Sequence, residues 1–543
     1  MQKRTRVSVF LIVGILVIAV GMLAGRFGLD ASPGWGKRRI ALAALGVLIA
    51  SLPWIARRNL SARTIATNSD LFVFPVLLLV TAVYFWFITV SYNTTSNYYS
   101  LLATSFRNGE LSLPLKPDPA LLQLPNPYDP AARQGIKVPQ DLSLYNGKFY
   151  LYWGPAPSVL LLIVQPFLPG RLGEVDLLFL FMCGIFLAEY VLIFHLWERF
   201  FSDIPKWMLL LSIVVAGFAN PALWLLSQPK IYEAAIAGAQ FFFIAGLAAA
   251  ILALDREHAS RGSLAVAGTL WALAVGTRSV AVFPVLFMTF MVTYRLFRIY
   301  RHSFVRFLVE LIPLGLPLFA GALGFVWYNW ARFGSLLETG FTYQLAAPYL
   351  QKHVNELFLP GYILQNLYNY LLNPFAVQPA FPFLYPVRGQ LEALLPGRAL
   401  PDLYTAQAIT GLLWAVPFLI FAVVPVAHLV KQRSRRNRPT EARRASQQLS
   451  LRWIVTSLLG SFLLPFLSLL AFFWAAMRYA EDFMPPLVLL GILGLWQAYQ
   501  PRSDSLRMGK IYAILGVTLA GVSIASAFLL ALSVLYNNGL LGK

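Results

Sequence analysis

The run WGPAPSVLLLIVQPFLP, Trp153 to Pro169, decides the topology of this chain. It is apolar enough to enter a membrane, yet it carries Pro155, Pro157, Gln165 and Pro166. It is also short against the roughly 20 apolar residues that a bilayer core of about 30 Å demands. Around it lie apolar runs that do meet that length. They read as spans near 7–25, 40–56, 71–91, 174–197, 207–226, 231–253, 262–276, 279–297, 306–328, 409–430, 451–473, 483–498 and 509–533. Of the 543 residues, 58% are hydrophobic and 12% charged, about half the charge of an average soluble domain. The fold class expected is an all-α polytopic membrane protein.

Charge placement settles whether 153–169 crosses. With a cytoplasmic N-terminus and no crossing there, the connections ARRNLSAR, DREHASRG, YRLFRIYRHSFVR, KQRSRRNRPTEARR and QPRSDSLRMGK all fall on the cytoplasmic side. These hold most of the short-loop Lys and Arg, as the positive-inside rule requires. A crossing would flip every later loop and break the rule. The expectation is therefore thirteen spans, with 153–169 re-entrant or interfacial. The GWGKRR loop, Gly34 to Arg39, lies outside in this arrangement and departs from the rule. The basic-then-apolar N-terminus lacks a clear small-x-small cleavage site before Arg26, so it reads as a retained first span.

This arrangement divides the chain into a two-span segment, 1–70, and a larger transmembrane domain, 71–543. Two long loops, about 92–152 and 329–408, fall on the extracytoplasmic side and are rich in Pro, Asn and aromatics. The net charge of +20 does not mark a nucleic-acid protein, because the basic residues sit between apolar runs, where lipid headgroups explain them. The single cysteine, Cys183, excludes an intrachain disulfide.

Ionisable groups near membrane depth are costly and default to function. The first loop holds Glu110, Asp118, Asp129 and Asp141. A carboxylate among aromatics and prolines is suited to act as a general base, although Asp129 before Pro130 can equally open a turn and Asp141 can cap a short helix. Glu233 stands at the mouth of a span beside Lys230, as a functional acid or an interfacial ion pair. Arg278, and Arg478 with Tyr479, interrupt apolar stretches on the same side. Arginine grips phosphate through two parallel hydrogen bonds; the alternative is that these arginines pair with Glu233, Glu481 or Asp482. The stretch LYNGKFYLYWGPAPS, Leu144 to Ser158, carries five aromatics within nine residues. An interfacial belt accounts for the rings but not for Asn146 and Lys148, so Tyr145, Asn146 and Tyr150 are expected to contact substrate. There is no Walker A loop, no GxSxG elbow and no paired-histidine metal signature.

Several elements resemble the GT-C membrane glycosyltransferases, the group that includes protein O-mannosyltransferases and the lipid A aminoarabinose transferase. They are NYYSLLATSFRNGELSL opening the first loop, LYNGKFYLYWGPAPSVLLLIVQPFLPG, QPKIYEAA with Glu233, ALAVGTRSVAVFPVL with Arg278, and MRYAEDFMPPLVLL with Arg478 and Tyr479. The resemblance covers about residues 71–490 in short, loose motifs. It implies a GT-C-like fold and an inverting transfer of a sugar from a polyprenyl-phosphate donor to an extracytoplasmic glycan, lipid or protein acceptor. Arg278, Arg478 and Lys230 would hold the donor phosphate, and Glu233, Tyr145, Asn146, Tyr150 and Tyr479 would line the substrate site. Many relatives place an acid directly after the span that precedes the first loop; here SYNTTSNYY has none between Ser91 and Tyr99. The catalytic base would then be Asp129 or Asp141. No cofactor beyond the lipid-linked donor is called for, and a divalent metal is compatible but not implied. The partners expected are membrane lipids, the donor and the acceptor, with no nucleic acid. The rival from another class is a transporter or lipid flippase without covalent chemistry, against which stands the lack of an internal repeat. A non-catalytic scaffold of an envelope assembly is a third option.

Overall fold

In the computed structural model, residues 70–91, 97–139, 141–167, 171–254, 259–389, 400–434, 442–500 and 506–541 are described, with 14, 17–21 and 46 in the N-terminal region. The expected spans near 7–25 and 40–56 and the GWGKRR loop fall almost wholly outside these residues. Eight helices among the described residues are long and apolar enough to cross a membrane: Val73–Val90, Glu174–Phe200, Lys206–Leu226, Ile231–Leu254, Ser279–Ile299, Phe304–Phe333, Gln448–Leu470 and Met508–Asn537. Each coincides with an apolar run of the sequence. The runs at 262–276 and 483–498 form the shorter helices Arg261–Thr277 and Met484–Tyr499. The run at 409–430 is split into short helical pieces that end in the helix Val423–Ser434. The chain is a helical integral membrane protein.

The stretch around Trp153 forms a helix, Ala156–Val164, extended by a 3-10 turn to Phe167. At 1.5 Å per residue that reaches about 18 Å, short of a bilayer core of about 30 Å. Gly154 fixes where it enters the bundle. Its N–H donates to the Thr277 carbonyl at 3.2 Å, and a Cβ there would stand 2.2 Å from the Gly276 carbonyl oxygen. Only glycine lets the two backbones approach so closely.

The helix α1 (Ile231–Leu254) is the central element. Its small residues let neighbours pack against its backbone, as at many membrane helix interfaces. A Cβ on Gly238 would meet the Phe181 ring at 2.8 Å, and one on Gly246 would meet Trp271 Nε1 at 2.5 Å. Trp271 spends its N–H on the Phe243 carbonyl at 3.2 Å. This packing holds the start of α1 beside the end of α2 (Arg261–Thr277) and beside Glu174–Phe200.

The two long loops interlock at one end of the bundle. In the first, Ser143–Tyr145 pairs antiparallel with Lys148–Tyr150 around Asn146 and Gly147, which have φ of 47° and 69°. Asn-Gly suits a two-residue hairpin that needs positive φ at both positions. The second loop is tied to this hairpin. Ser143 Oγ donates to the Gly340 carbonyl at 2.8 Å, and Arg332 Nη1 donates to the Leu151 carbonyl at 2.9 Å. The Arg332 guanidinium also lies 3.8 Å from the Tyr328 ring centroid and 4.6 Å from that of Phe333.

The rest of the second loop is anchored by buried amides on one helical face. Asn366 is fully buried. Its Nδ2 donates to the Leu469, Leu470 and Phe472 carbonyls at 3.2, 3.0 and 2.8 Å, and its Oδ1 accepts from Tyr404. It thereby caps the carbonyl end of the Ala442–Leu470 helix, which has no intrahelical partners to offer. Asn369 and Asn373 continue the pattern, to Tyr404 Oη and to the Val387 and Ile409 carbonyls. The expected result of Asn366→Ala is a loss of about 1–3 kcal/mol, the cost of stranding buried polar groups. Thermal unfolding in detergent should show it as a lower midpoint; an unchanged midpoint would remove Asn366 as the anchor.

Candidate functional site

Where the loops meet the bundle, four segments converge: the first loop, the start of α1, the end of α2, and the 3-10 turn Met477–Asp482 that precedes the Met484–Tyr499 helix. Arg278 caps the end of α2. Its Nη2 lies 2.9 Å from Asp482 Oδ2, and its guanidinium stands 5.2 Å from the Tyr479 ring centroid. Arg478 also lies 5.2 Å from Tyr479 and 4.9 Å from the Tyr232 ring. Its Nη1 donates to Gln407 Oε1 at 3.1 Å. Both arginines therefore pack on one tyrosine. The Nε of each is buried and has no hydrogen-bond partner among the described residues. Gln240, about two turns beyond Glu233 on α1, donates to the Asp482 carbonyl at 2.8 Å and holds the 3-10 turn in place.

Asp141 enters from the first loop. Its backbone is left-handed, with φ of 61°, a conformation that aspartate tolerates better than most residues. Its N–H donates to the Leu345 carbonyl at 3.1 Å, and Leu345 N–H returns a bond to the Leu142 carbonyl at 2.9 Å. Backbone from both loops thus sets the carboxylate. Tyr232 donates its O–H to Asp141 Oδ2, while Trp153 packs edge-on against the Tyr232 ring at 5.1 Å. Burial raises the Asp141 carboxyl above its ordinary range, and the Tyr232 hydrogen bond and the charges of Arg478 and Arg133 pull it partly back. A carboxylate of this kind is a stronger proton acceptor than a solvated one. Burial also pushes the nearby Tyr152 phenol up to about 12, against the charge of Arg278. Glu233 is 2% exposed, its Oε2 has no hydrogen-bond partner among the described residues, and the charges of Arg478 and Lys230 act on it.

The convergence thus brings together Asp141, Glu233, Arg278, Arg478 and Tyr479 of the residues singled out in the sequence. Lys230 stands exposed at the rim. Asp129 lies in an Asx-turn, its Oδ1 accepting from Ala131 N–H at 2.9 Å. Tyr145 and Tyr150 pack on Phe333 at 5.5 and 5.3 Å, and Tyr145 on Tyr343 at 4.5 Å. Asn146 is exposed at the hairpin tip. Residues that sequence reasoning did not single out complete the convergence: Tyr232, Tyr152, Trp153, Gln407 and, for the first loop, Arg133. Arg133 is 7% exposed and donates from Nη2 to the Ala346 carbonyl at 2.6 Å. The one local signal for Tyr232 was its place directly before Glu233. Among the described residues no three His, Cys, Asp or Glu side chains gather to hold a metal ion.

No protein-family model matches the chain, and no curated protein matches it. Among solved structures it is similar to the Archaeoglobus fulgidus oligosaccharyltransferase. With the apo form it shares 12% identity at a TM-score of 0.40, covering 84% of this chain and 55% of that one. With the form tethered through a disulfide to an acceptor peptide containing the NVT sequon it shares 14% identity at a TM-score of 0.42, covering 85% and 55%. The chain spans about half the length of that neighbour, and a likeness of this size carries no argument about activity.

Proposed function

We propose that the chain is an integral membrane glycosyltransferase of the GT-C kind, moving a sugar from a polyprenyl-phosphate donor to an acceptor hydroxyl on the extracytoplasmic side. The observation that carries this reading is the meeting of two partly buried guanidinium groups on Tyr479 with a tyrosine-held carboxylate, Asp141, beside them. Arginines beside a phosphate offset the charge that develops as it leaves. The carboxylate supplies the base that the other half of the reaction needs.

In this mechanism the donor phosphate rests against Arg278 and Arg478. The acceptor hydroxyl gives its proton to Asp141, and its oxygen attacks the anomeric carbon from the face opposite the phosphate. The bond between that carbon and the phosphate oxygen breaks, and the polyprenyl phosphate departs with the electron pair. One displacement inverts the configuration. Tyr232 holds Asp141 and packs beneath Arg478, so that acceptor activation and donor binding share one ring. Glu233 and Tyr479 line the same space, while Lys230 at the rim would draw the phosphate in.

The decisive experiment incubates purified protein with a panel of polyprenyl-phosphate sugars and follows release of polyprenyl phosphate and transfer to glycan, lipid and peptide acceptors. Donor-dependent release of polyprenyl phosphate supports the reading. Movement of the intact lipid across vesicles, with no bond broken, would favour the flippase instead.

A further inference from the structure

The second loop carries an apolar hairpin that the transfer mechanism does not use. Between Glu356 and Arg388 the sequence holds no charged residue. Within that stretch Phe375–Val377 pairs antiparallel with Leu384–Pro386. The tip that joins the two strands is apolar and open. Val377 is 72% exposed, and Phe381 and Phe383 are each 44% exposed. Phe383 has a φ of 71°, a left-handed backbone that is rare for a bulky residue. Glycine adopts such a turn without steric cost, so turn geometry does not account for a phenyl ring there.

The base of the hairpin sits at the edge of the spans. Asn373 Nδ2 donates to the Val387 and Ile409 carbonyls at 2.8 and 2.6 Å, and Gly411 N–H donates to the Asn373 carbonyl at 2.7 Å. Ile409 and Gly411 open the apolar run 409–430. Trp414 in that run packs edge-on against Phe375 at 6.0 Å and donates its N–H to the Leu372 carbonyl at 2.9 Å, yet stays 49% exposed. On the other flank Phe381 packs edge-on against Tyr536 at 6.3 Å, one residue before the end of the span Met508–Asn537. Trp and Tyr at the ends of spans mark the boundary between membrane and water. The hairpin is thus tied to that boundary on both flanks. Its open residues are apolar, a surface that gains by leaving water, and it offers no charge to a charged partner. We infer that the hairpin 375–386 inserts its tip into the interfacial layer of the bilayer, with Val377, Phe381 and Phe383 against lipid. This holds the second loop, which also supplies Gln407 to Arg478, at the membrane surface.

Spin labelling of the full-length protein in vesicles of phosphatidylethanolamine and phosphatidylglycerol tests this without reading sugar transfer, so its failure is separate from failure of the glycosyltransferase reading. The single cysteine is removed as Cys183→Ala. A nitroxide is then attached through Val377→Cys, through Phe383→Cys or, as the solvated reference, through Gln134→Cys, at an exposed position of the first loop. Collisions are measured with oxygen, which concentrates in lipid, and with a nickel chelate, which stays in water. The expected result is an oxygen-to-nickel collision ratio several-fold higher at both hairpin positions than at 134. A ratio equal to that at 134 would place the tip in water and overturn the proposal. Exclusion of both reagents would mark a contact with a second copy of the chain and overturn it equally. The two hairpin positions are read independently, so a failure of one variant to fold leaves the other to decide.

Discussion

Asp141→Asn is expected to lower the rate of sugar transfer by about 10²–10⁴, the usual contribution of a positioned general base, while leaving the protein folded and donor binding intact. The amide oxygen of asparagine still accepts from Tyr232, and asparagine tolerates the left-handed backbone found at 141. What is lost is the ability to take the acceptor proton. Two comparisons make the result specific. Asp129→Asn, at a side chain engaged in an Asx-turn, should leave the rate within a few-fold of wild type. Tyr232→Phe keeps the base but removes a hydrogen bond that lowers the Asp141 carboxyl pKa. That pKa should therefore rise. Because the ionised form is the base, activity falls as pH drops through that pKa, and the acid limb of the rate profile should move to higher pH. Rate–pH profiles of the three variants check this. A full rate in Asp141→Asn would remove Asp141 as the base. An unmoved acid limb in Tyr232→Phe would remove Tyr232 as the residue that positions it.

How far the sequence reveals this molecule depends on which interactions are local. Bilayer crossing is a property of a contiguous run, so Ile231–Leu254 or Glu174–Phe200 can be recognised from composition and length alone. The arginines at 278 and 478 stand out for the same reason, as charges inside apolar surroundings. The hairpin tip at Asn146 is likewise written locally, as Asn-Gly between two short strands. The partners of the site residues are another matter. Tyr232 reaches Asp141 across 91 positions, and Arg278 reaches Asp482 across 204. No periodicity encodes such a pairing, because the packing of α1 between its neighbours creates it. The anchor role of Asn366 is hidden likewise. An asparagine in a long loop reads as solvated until the carbonyl end of the Ala442–Leu470 helix arrives beside it. Glu481 and Asp482 look alike in sequence, yet Asp482 is bonded to Arg278 while Glu481 Oε2 has no hydrogen-bond partner among the described residues.

Arg278→Ala should act twice, and the two effects can be separated. In the wild type, Asp482 is 3% exposed and its carboxyl is raised by burial, with Arg278 opposing the rise through charge and a hydrogen bond. Removing the guanidinium leaves a buried carboxylate without that partner. Breaking such a pair costs about 3–5 kcal/mol where the charge stays in place. Here the cost is limited by protonation of Asp482, whose pKa climbs further once Arg278 has gone. A carboxyl whose folded pKa lies above its unfolded value favours the folded state at low pH and loses that contribution as pH rises. The stability deficit of Arg278→Ala should therefore be small in acid and grow toward alkaline pH, as thermal unfolding at several pH values would record. Adding Asp482→Asn removes the orphaned charge, so the double variant should recover most of the stability and lose the extra pH dependence. Donor binding should follow a different course. A charge-assisted hydrogen bond to phosphate contributes about 1.5–3 kcal/mol, or roughly 10- to 100-fold in affinity, and Asp482→Asn does not restore it. The double variant should thus be stable yet bind polyprenyl phosphate weakly. Restored binding in the double variant would show that Arg278 only neutralises Asp482, and unchanged binding in Arg278→Ala alone would take the donor phosphate away from this arginine.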